Sequence, residues 1–201
     1  MRVWSAIGLG VVVLAGSVAL GEPEATPDTP AASATPEVKA EPGSFVTLED
    51  GSLVIAGTIK VPGKGTAESP YIVDWSALTS AHRVYDPRKG KKDLPAWVGA
   101  LNGKRVRLTG YLLLPLTGSG TDELLIMQNQ WDGCCIGVPP TPYDAVEVRM
   151  RRPLDTSRGA PGFGSLEGKF KVEPYIVSDW LLGLYLLEDA EMVRGVGGDG
   201  S

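Results

Sequence analysis

The sequence has few of the residue types that catalysis and metal binding most often use. It contains one histidine, His82, and two cysteines, Cys134 and Cys135. A zinc or copper site needs three or four ligands at suitable angles, and neighbouring cysteines rarely both reach one tetrahedral ion. A Cys–His nucleophile would need His82 within hydrogen-bonding distance of a thiolate, and nothing in the sequence places it there. These residues therefore do not by themselves predict an enzyme.

The motifs of several common enzyme classes are also missing. There is no Gly-Lys-Ser/Thr phosphate loop, no dinucleotide motif between a strand and a helix, no His-Glu-x-x-His and no Gly-x-Ser-x-Gly. The glycine-rich stretch 158–168 lacks a strand-then-helix setting, so it is predicted to be a mobile loop. From Thr66 onward 15 Lys and Arg stand against 17 Asp and Glu, a balance of −2. This balance gives no reason to expect a nucleic-acid partner.

The N-terminal region has the pattern of an export signal followed by a tether. Residues 1–21 combine an early Arg2 with an apolar run over 6–20, and Ala19 and Gly21 suit cleavage before Glu22. The run is shorter than a typical membrane span, so a signal peptide is favoured over an uncleaved anchor, which would be the only membrane contact. Residues 22–43 are rich in Pro, Ala, Thr and Glu and are predicted to be a disordered tether.

The remaining chain is predicted to be mainly β. Residues 44–65 have the pattern of a hairpin of uncertain attachment, and 193–201 that of a frayed tail. Within 66–192, Leu94, Trp97, Val98 and Leu101 have the spacing of one short helix. Five segments alternate with period two and predict a small five-stranded barrel of the oligonucleotide/oligosaccharide-binding (OB) type. They are 104–116, 123–127, 143–150, 168–172 and 182–187.

The chain resembles a family of exported bacterial proteins catalogued as a domain of unknown function. The resemblance rests on LNGKRVRLTGY, on the later Cys-x-x-x-Pro-Pro segment that ends CCIGVPP, and on the late GKFKVEPYIVSDWLLGLYLLEDA; it covers about residues 70–190. It implies the same fold, but no chemistry is assigned to its motifs. Some members have a His at the position of Gly137, so the resemblance gives less support to a metal site in this chain.

The segment 128–148 contains both cysteines and is the most unusual part of the chain. Three interpretations remain open: small apolar side chains packed between strands, a thiol site for redox or metal chemistry, or Cys–His catalysis. A metal would use Cys134, Cys135 and His82 and would be zinc or copper. A bond between adjacent cysteines is a poor staple but can serve as a switch.

We expect an exported, non-enzymatic binding or accessory protein of the periplasm or cell envelope, with no cofactor. Its partner would be a small ligand or an envelope protein. The alternative is a thiol-based redox or metal-handling protein. The candidate ligand-binding residues are Trp131, Asp132, Cys134, Cys135, Pro139, Pro140 and Tyr143.

Overall fold

The computed structural model of the chain describes residues 41–115, 121–135, 137–156 and 161–193. In these ranges the chain is mainly β, with 44% of residues in strands and 13% in helices. The predicted signal peptide, nearly all of the predicted tether and the tail beyond Val193 lie outside the described residues. No helix in the described ranges is long and apolar enough to cross a membrane.

The N-terminal hairpin is a three-stranded antiparallel sheet in the order β1–β2–β3. Its strands are Phe45–Thr47, Leu53–Ile55 and Ile59–Val61. The predicted second strand is divided in two because Ala56 and Gly57 both have positive φ and turn the chain. The buried Leu53, Ile55 and Val61 belong to the same core cluster as the larger sheet. The hairpin is therefore attached to the domain through shared apolar packing.

The larger sheet has six strands in the order β4–β5–β6–β7–β9–β8, and β5 also pairs with β8. The strands are β4 Tyr71–Ile72, β5 Arg105–Leu113, β6 Glu123–Met127, β7 Ala145–Met150, β8 Phe163–Val177 and β9 Trp180–Met192. The β4–β5 and β7–β9 pairings are parallel and the others are antiparallel. All five segments predicted as strands are strands.

The last two strands are longer than predicted, and the predicted loop over 158–168 is wrong for 163–168, while 158–160 lie outside the described residues. Phe163–Gly168, expected to be mobile, is the first part of β8 and pairs with β5. Gly164 and Gly168 do not mark a loop there, because side chains of Met192 and Leu187 occupy the space beside them. At the other end, Ser178 and Asp179 both have positive φ and form the two-residue turn between β8 and β9.

The prediction of one short helix is incomplete. Helix α2, Ala96–Leu101, corresponds to the predicted helix but begins after Pro95, which leaves Leu94 outside it. A second helix, α1, spans Trp75–Ser80, and 3-10 turns span Ala81–Arg83 and Pro87–Lys89. Helix α1 is capped by Asp74, whose carboxylate accepts the Ser76 N–H at 2.8 Å. Helix α1 has only six residues, too few to show a clear spacing of apolar residues in the sequence. The bond from Asp74 stabilises its first turn.

Strand β5 pairs with β8 along one edge and with β4 and then β6 along the other, and Gly110 lies between the β4 and β6 pairings. Residues Arg105–Tyr111 pair with β8, whereas Tyr111–Leu113 pair with β6. A Cβ atom at Gly110 would lie 2.4 Å from the main-chain oxygen of Met127 and 3.0 Å from the Trp75 ring. The indole N–H of Trp75 donates to the Thr109 carbonyl at 2.8 Å, so helix α1 is fixed to the same point.

Gly110→Ala should therefore lower the free energy of unfolding by about 1 to 3 kcal/mol, because a backbone carbonyl must move to admit the methyl group. Gly99→Ala is the matched control, since Gly99 lies in helix α2 with no atom within 4 Å of an added Cβ. Urea unfolding followed by circular dichroism measures both variants. Equal stability of Gly110→Ala and the wild type would contradict the packing at this position.

Candidate functional site

The main cavity of the described residues lies against strands β6 and β7 and has a volume of about 620 Å³. Its walls come from the end of β5, the start of β6, the middle of β7, one residue of β9 and the loop after β6. The lining residues are Leu113, Leu114, Pro115, Glu123, Leu124, Leu125, Trp131, Asp132, Gly133, Cys134, Glu147, Val148, Arg149 and Leu186. We call this space the main cavity.

The strand residues of the main cavity follow from alternation. In β7, Val146, Val148 and Met150 are buried, whereas Glu147 and Arg149 between them are exposed. Leu125 is directly opposite Glu147 on β6, so the two side chains project from the same face of the sheet. The lining is largely apolar with a few charged groups, which is the usual composition of a small-molecule site.

The loop beside the main cavity is closed by backbone contacts at its two ends. Trp131 and Gly137 form an isolated antiparallel bridge, and the Val138 N–H donates to the Gln130 carbonyl at 3.2 Å. Gly137 has φ +95°, and a Cβ there would lie 1.9 Å from the Gln130 oxygen. Only glycine fits this position, because any side chain would overlap the Gln130 carbonyl.

Asp132 organises the turn that carries the cysteines. Its Oδ1 accepts the N–H groups of Cys134 at 2.9 Å and Cys135 at 2.7 Å. One carboxylate oxygen therefore holds two consecutive amides, as in the turns that Asp and Asn commonly form. Cys134 and Cys135 are bonded to each other in a disulfide.

The interpretation of the cysteines as side chains packed between strands is wrong, because both are exposed. The loop held by Asp132 and Gly137 places both cysteines outside the sheet, so their side chains are not part of the apolar core. The sulfurs instead form part of the surface at the edge of the main cavity, which Cys134 lines.

The predicted ligand-binding residues do not all lie at one site. Trp131, Asp132 and Cys134 line the main cavity. Pro140 lines a smaller neighbouring cavity of about 90 Å³ together with Leu125 and Glu147. Cys135 and Pro139 are exposed and line none of these cavities.

Tyr143 belongs to a different cluster. Its hydroxyl donates to the Tyr85 carbonyl at 2.8 Å, and its ring meets the His82 ring edge-on with centroids 5.1 Å apart. Burial, followed by the negative charge of Asp86 and the neighbouring Tyr85, raises the pKa of Tyr143 to about 12. Tyr143 thus fixes the start of β7 against the 3-10 turns and is not a wall of the main cavity.

The structure does not bring His82 and the cysteines together as a metal site. Among the described residues there is no group of three or more His, Cys, Asp or Glu side chains that could hold a metal ion. His82 lines a small cavity with Asp86 and Tyr143, whereas Cys134 lines the main cavity.

Sequence reasoning missed the strand residues of the site, chiefly Leu125, Glu147 and Arg149. Their signal was present, because Glu147 and Arg149 alternate with valines in a segment already predicted to be a strand. Alternation shows which residues face outward but does not show which part of the outward face is concave.

Comparison with known proteins gives one structural similarity. A crystal structure of a DUF3299 family protein from Pseudomonas aeruginosa PAO1 is similar over 63% of this chain and 85% of that chain, with 22% identity and a TM-score of 0.37. That protein belongs to a domain-of-unknown-function family, but the similarity is too low to carry an argument about this chain. Searches with protein-family models and of curated proteins give no match.

Asp132→Ala should accelerate hydrogen exchange at the Cys134 and Cys135 amides by about 2- to 10-fold, because each loses one carboxylate acceptor. Asp132→Asn should keep most of the protection, since its side-chain oxygen can still accept. Asp144→Ala is the control: Asp144 holds the Thr141 amide in the same way but contacts neither cysteine. Unchanged exchange in Asp132→Ala would contradict the role of this carboxylate.

Proposed function

We propose that this protein is an exported, non-enzymatic binding or accessory protein of the cell envelope that takes a small ligand into the main cavity. The observation that carries the proposal is the cavity itself. Its volume of about 620 Å³ lies within the range of roughly 300–1,000 Å³ typical of small-molecule sites. Its lining is mostly apolar with a few charged groups, so apolar contacts can bind a ligand and the charged groups can fix its orientation.

The strand pairing supports a closed barrel of the OB type as the scaffold of this function. The pairings run from β5 to β6, β7, β9 and β8 and return to β5. A cycle of five strands is what such a barrel requires, and β6 and β7 are its second and third strands. The face of the second and third strands is where OB-folds bind ligands, and the main cavity lies against that face.

Export is proposed from the N-terminal sequence, and the disulfide is compatible with it. Disulfides persist in oxidising compartments such as the bacterial periplasm, whereas the cytosol keeps thiols reduced. Cell fractionation and N-terminal sequencing test this proposal. A mature protein that begins at Glu22 in the periplasmic fraction is expected, and a cytoplasmic protein that retains Met1 would contradict export.

Binding in the main cavity can be tested with octan-1-ol as a neutral apolar probe in a ¹H–¹⁵N NMR titration. Saturable shifts are expected at amides of 113–114, 123–125 and 147–149. Leu125→Trp should fill the cavity and weaken binding about tenfold or more, because the ring occupies the space of the probe. Leu94→Trp, at an exposed position outside the cavity lining, should bind like the wild type.

Shifts that map only to other surfaces, or equal affinity of Leu125→Trp and the wild type, would contradict binding in the main cavity.

A thiol function is the second candidate, and the exposed disulfide at the edge of the main cavity favours it. In this function a substrate dithiol is oxidised to a disulfide as Cys134–Cys135 accepts two electrons and two protons and becomes two thiols. Thiol titration should find no free thiol before reduction and two after it.

Oxidation of a dithiol peptide by the purified protein, compared with a Cys134→Ser, Cys135→Ser variant, separates the two candidates. Peptide oxidation that disappears in this variant would favour the thiol function. Equal background rates with probe binding intact would favour the binding protein.

A further inference from the structure

Negative charge exceeds positive charge on the face of the sheet around the main cavity. Arg149 lies 3.8 Å from Glu123 and 3.8 Å from Glu188, and Lys171 lies 2.7 Å from Glu188. Lys171 also lies 3.8 Å from Glu173. With Glu147 this face has four carboxylates, against Arg149, Lys171 and Lys169, which is opposite Glu188. Asp132 of the loop also lines the main cavity, so these groups sum to a net charge of −2.

Glu147 lies at the centre of this face. It lines the main cavity and two neighbouring cavities, of about 410 Å³ and 90 Å³, that continue from it along the sheet. Leu125 is opposite it on β6 and Leu186 is opposite it on β9. The carboxylate is therefore flanked by a leucine on each side in a row across three strands.

Glu147 makes no hydrogen bond or ion pair within the described part of the chain, unlike the other three carboxylates of this face. The nearest basic residue on its strand, Arg149, is shared between Glu123 and Glu188. A carboxylate between two apolar side chains without a basic partner attracts a cation and repels an anion. Apolar walls around it select a cation that also has an apolar body.

We propose that the ligand of the main cavity is a small organic cation, with an alkyl or aryl body and a primary ammonium group that pairs with Glu147. The body lies between Leu125, Leu186 and the indole of Trp131, and the ammonium donates to the Glu147 carboxylate. This inference rests on the proposed binding function and names the chemical class of its ligand.

The test compares three probes of equal chain length: octylammonium, octan-1-ol and octanoate. NMR titration maps each to the protein and gives its affinity. Octylammonium should bind the main cavity at least about threefold more tightly than octan-1-ol, and octanoate should bind most weakly. Glu147→Gln should abolish the difference in affinity between octylammonium and octan-1-ol.

Glu49→Gln is the control for net charge, because Glu49 is exposed in the turn between β1 and β2 and lines no part of the main cavity. It should retain the preference for octylammonium. A preference that is absent in the wild type, or that survives in Glu147→Gln, would overturn the proposed ligand class while leaving the binding site in place. Failure of all three probes to shift main-cavity amides would overturn the binding function and the ligand class together.

Discussion

Strand β5 hydrogen-bonds to β8 along Arg105–Tyr111 and to β6 along Tyr111–Leu113. Tyr111 takes part in both pairings, so β8 and β6 lie on opposite edges of β5. Strand β6 can approach at this point because Gly110 has no side chain to meet the Met127 carbonyl. The position of β6 relative to β8 follows from this double pairing, and β7 and β9 then complete the pairing between them. Pairing with β5 fixes the position of β6, and β7 pairs with β6 in turn. The face of β6 and β7 that lines the main cavity therefore depends on β5.

The candidate site combines this rigid face with a loop that is held by local bonds. The strands supply Leu125, Glu147 and Arg149 at positions fixed by register, whereas the loop supplies Trp131 and the disulfide through contacts of Asp132 and Gly137. A site divided in this way can keep one wall constant while the other changes, since loops open at lower free energy than paired strands. The exposed Cys134–Cys135 disulfide belongs to the loop, which is the wall that can change conformation.

Patterns that repeat within a segment could be read from the sequence. Alternation in 104–116, 123–127 and 143–150 predicted β5, β6 and β7, and the apolar spacing of Trp97, Val98 and Leu101 predicted α2. Features set by distant residues could not be predicted. Gly164 and Gly168 resemble loop residues until the neighbouring Met192 and Leu187 are known, and the average burial of cysteine gave no sign that Cys134 and Cys135 would be exposed. The concavity beside Glu147 depends on β5 and β9, which are far from it in sequence.

Cross-strand nuclear Overhauser effects in the native protein test the double pairing of β5 most directly. The account predicts two sets of contacts from the same strand, one that opposes Leu108 to Leu166 of β8 and one that opposes Leu112 to Ile126 of β6. Contacts to β6 without contacts to β8, or a β8 register displaced by one residue, would contradict it, because either result would remove the ring of strands that presents the cavity face.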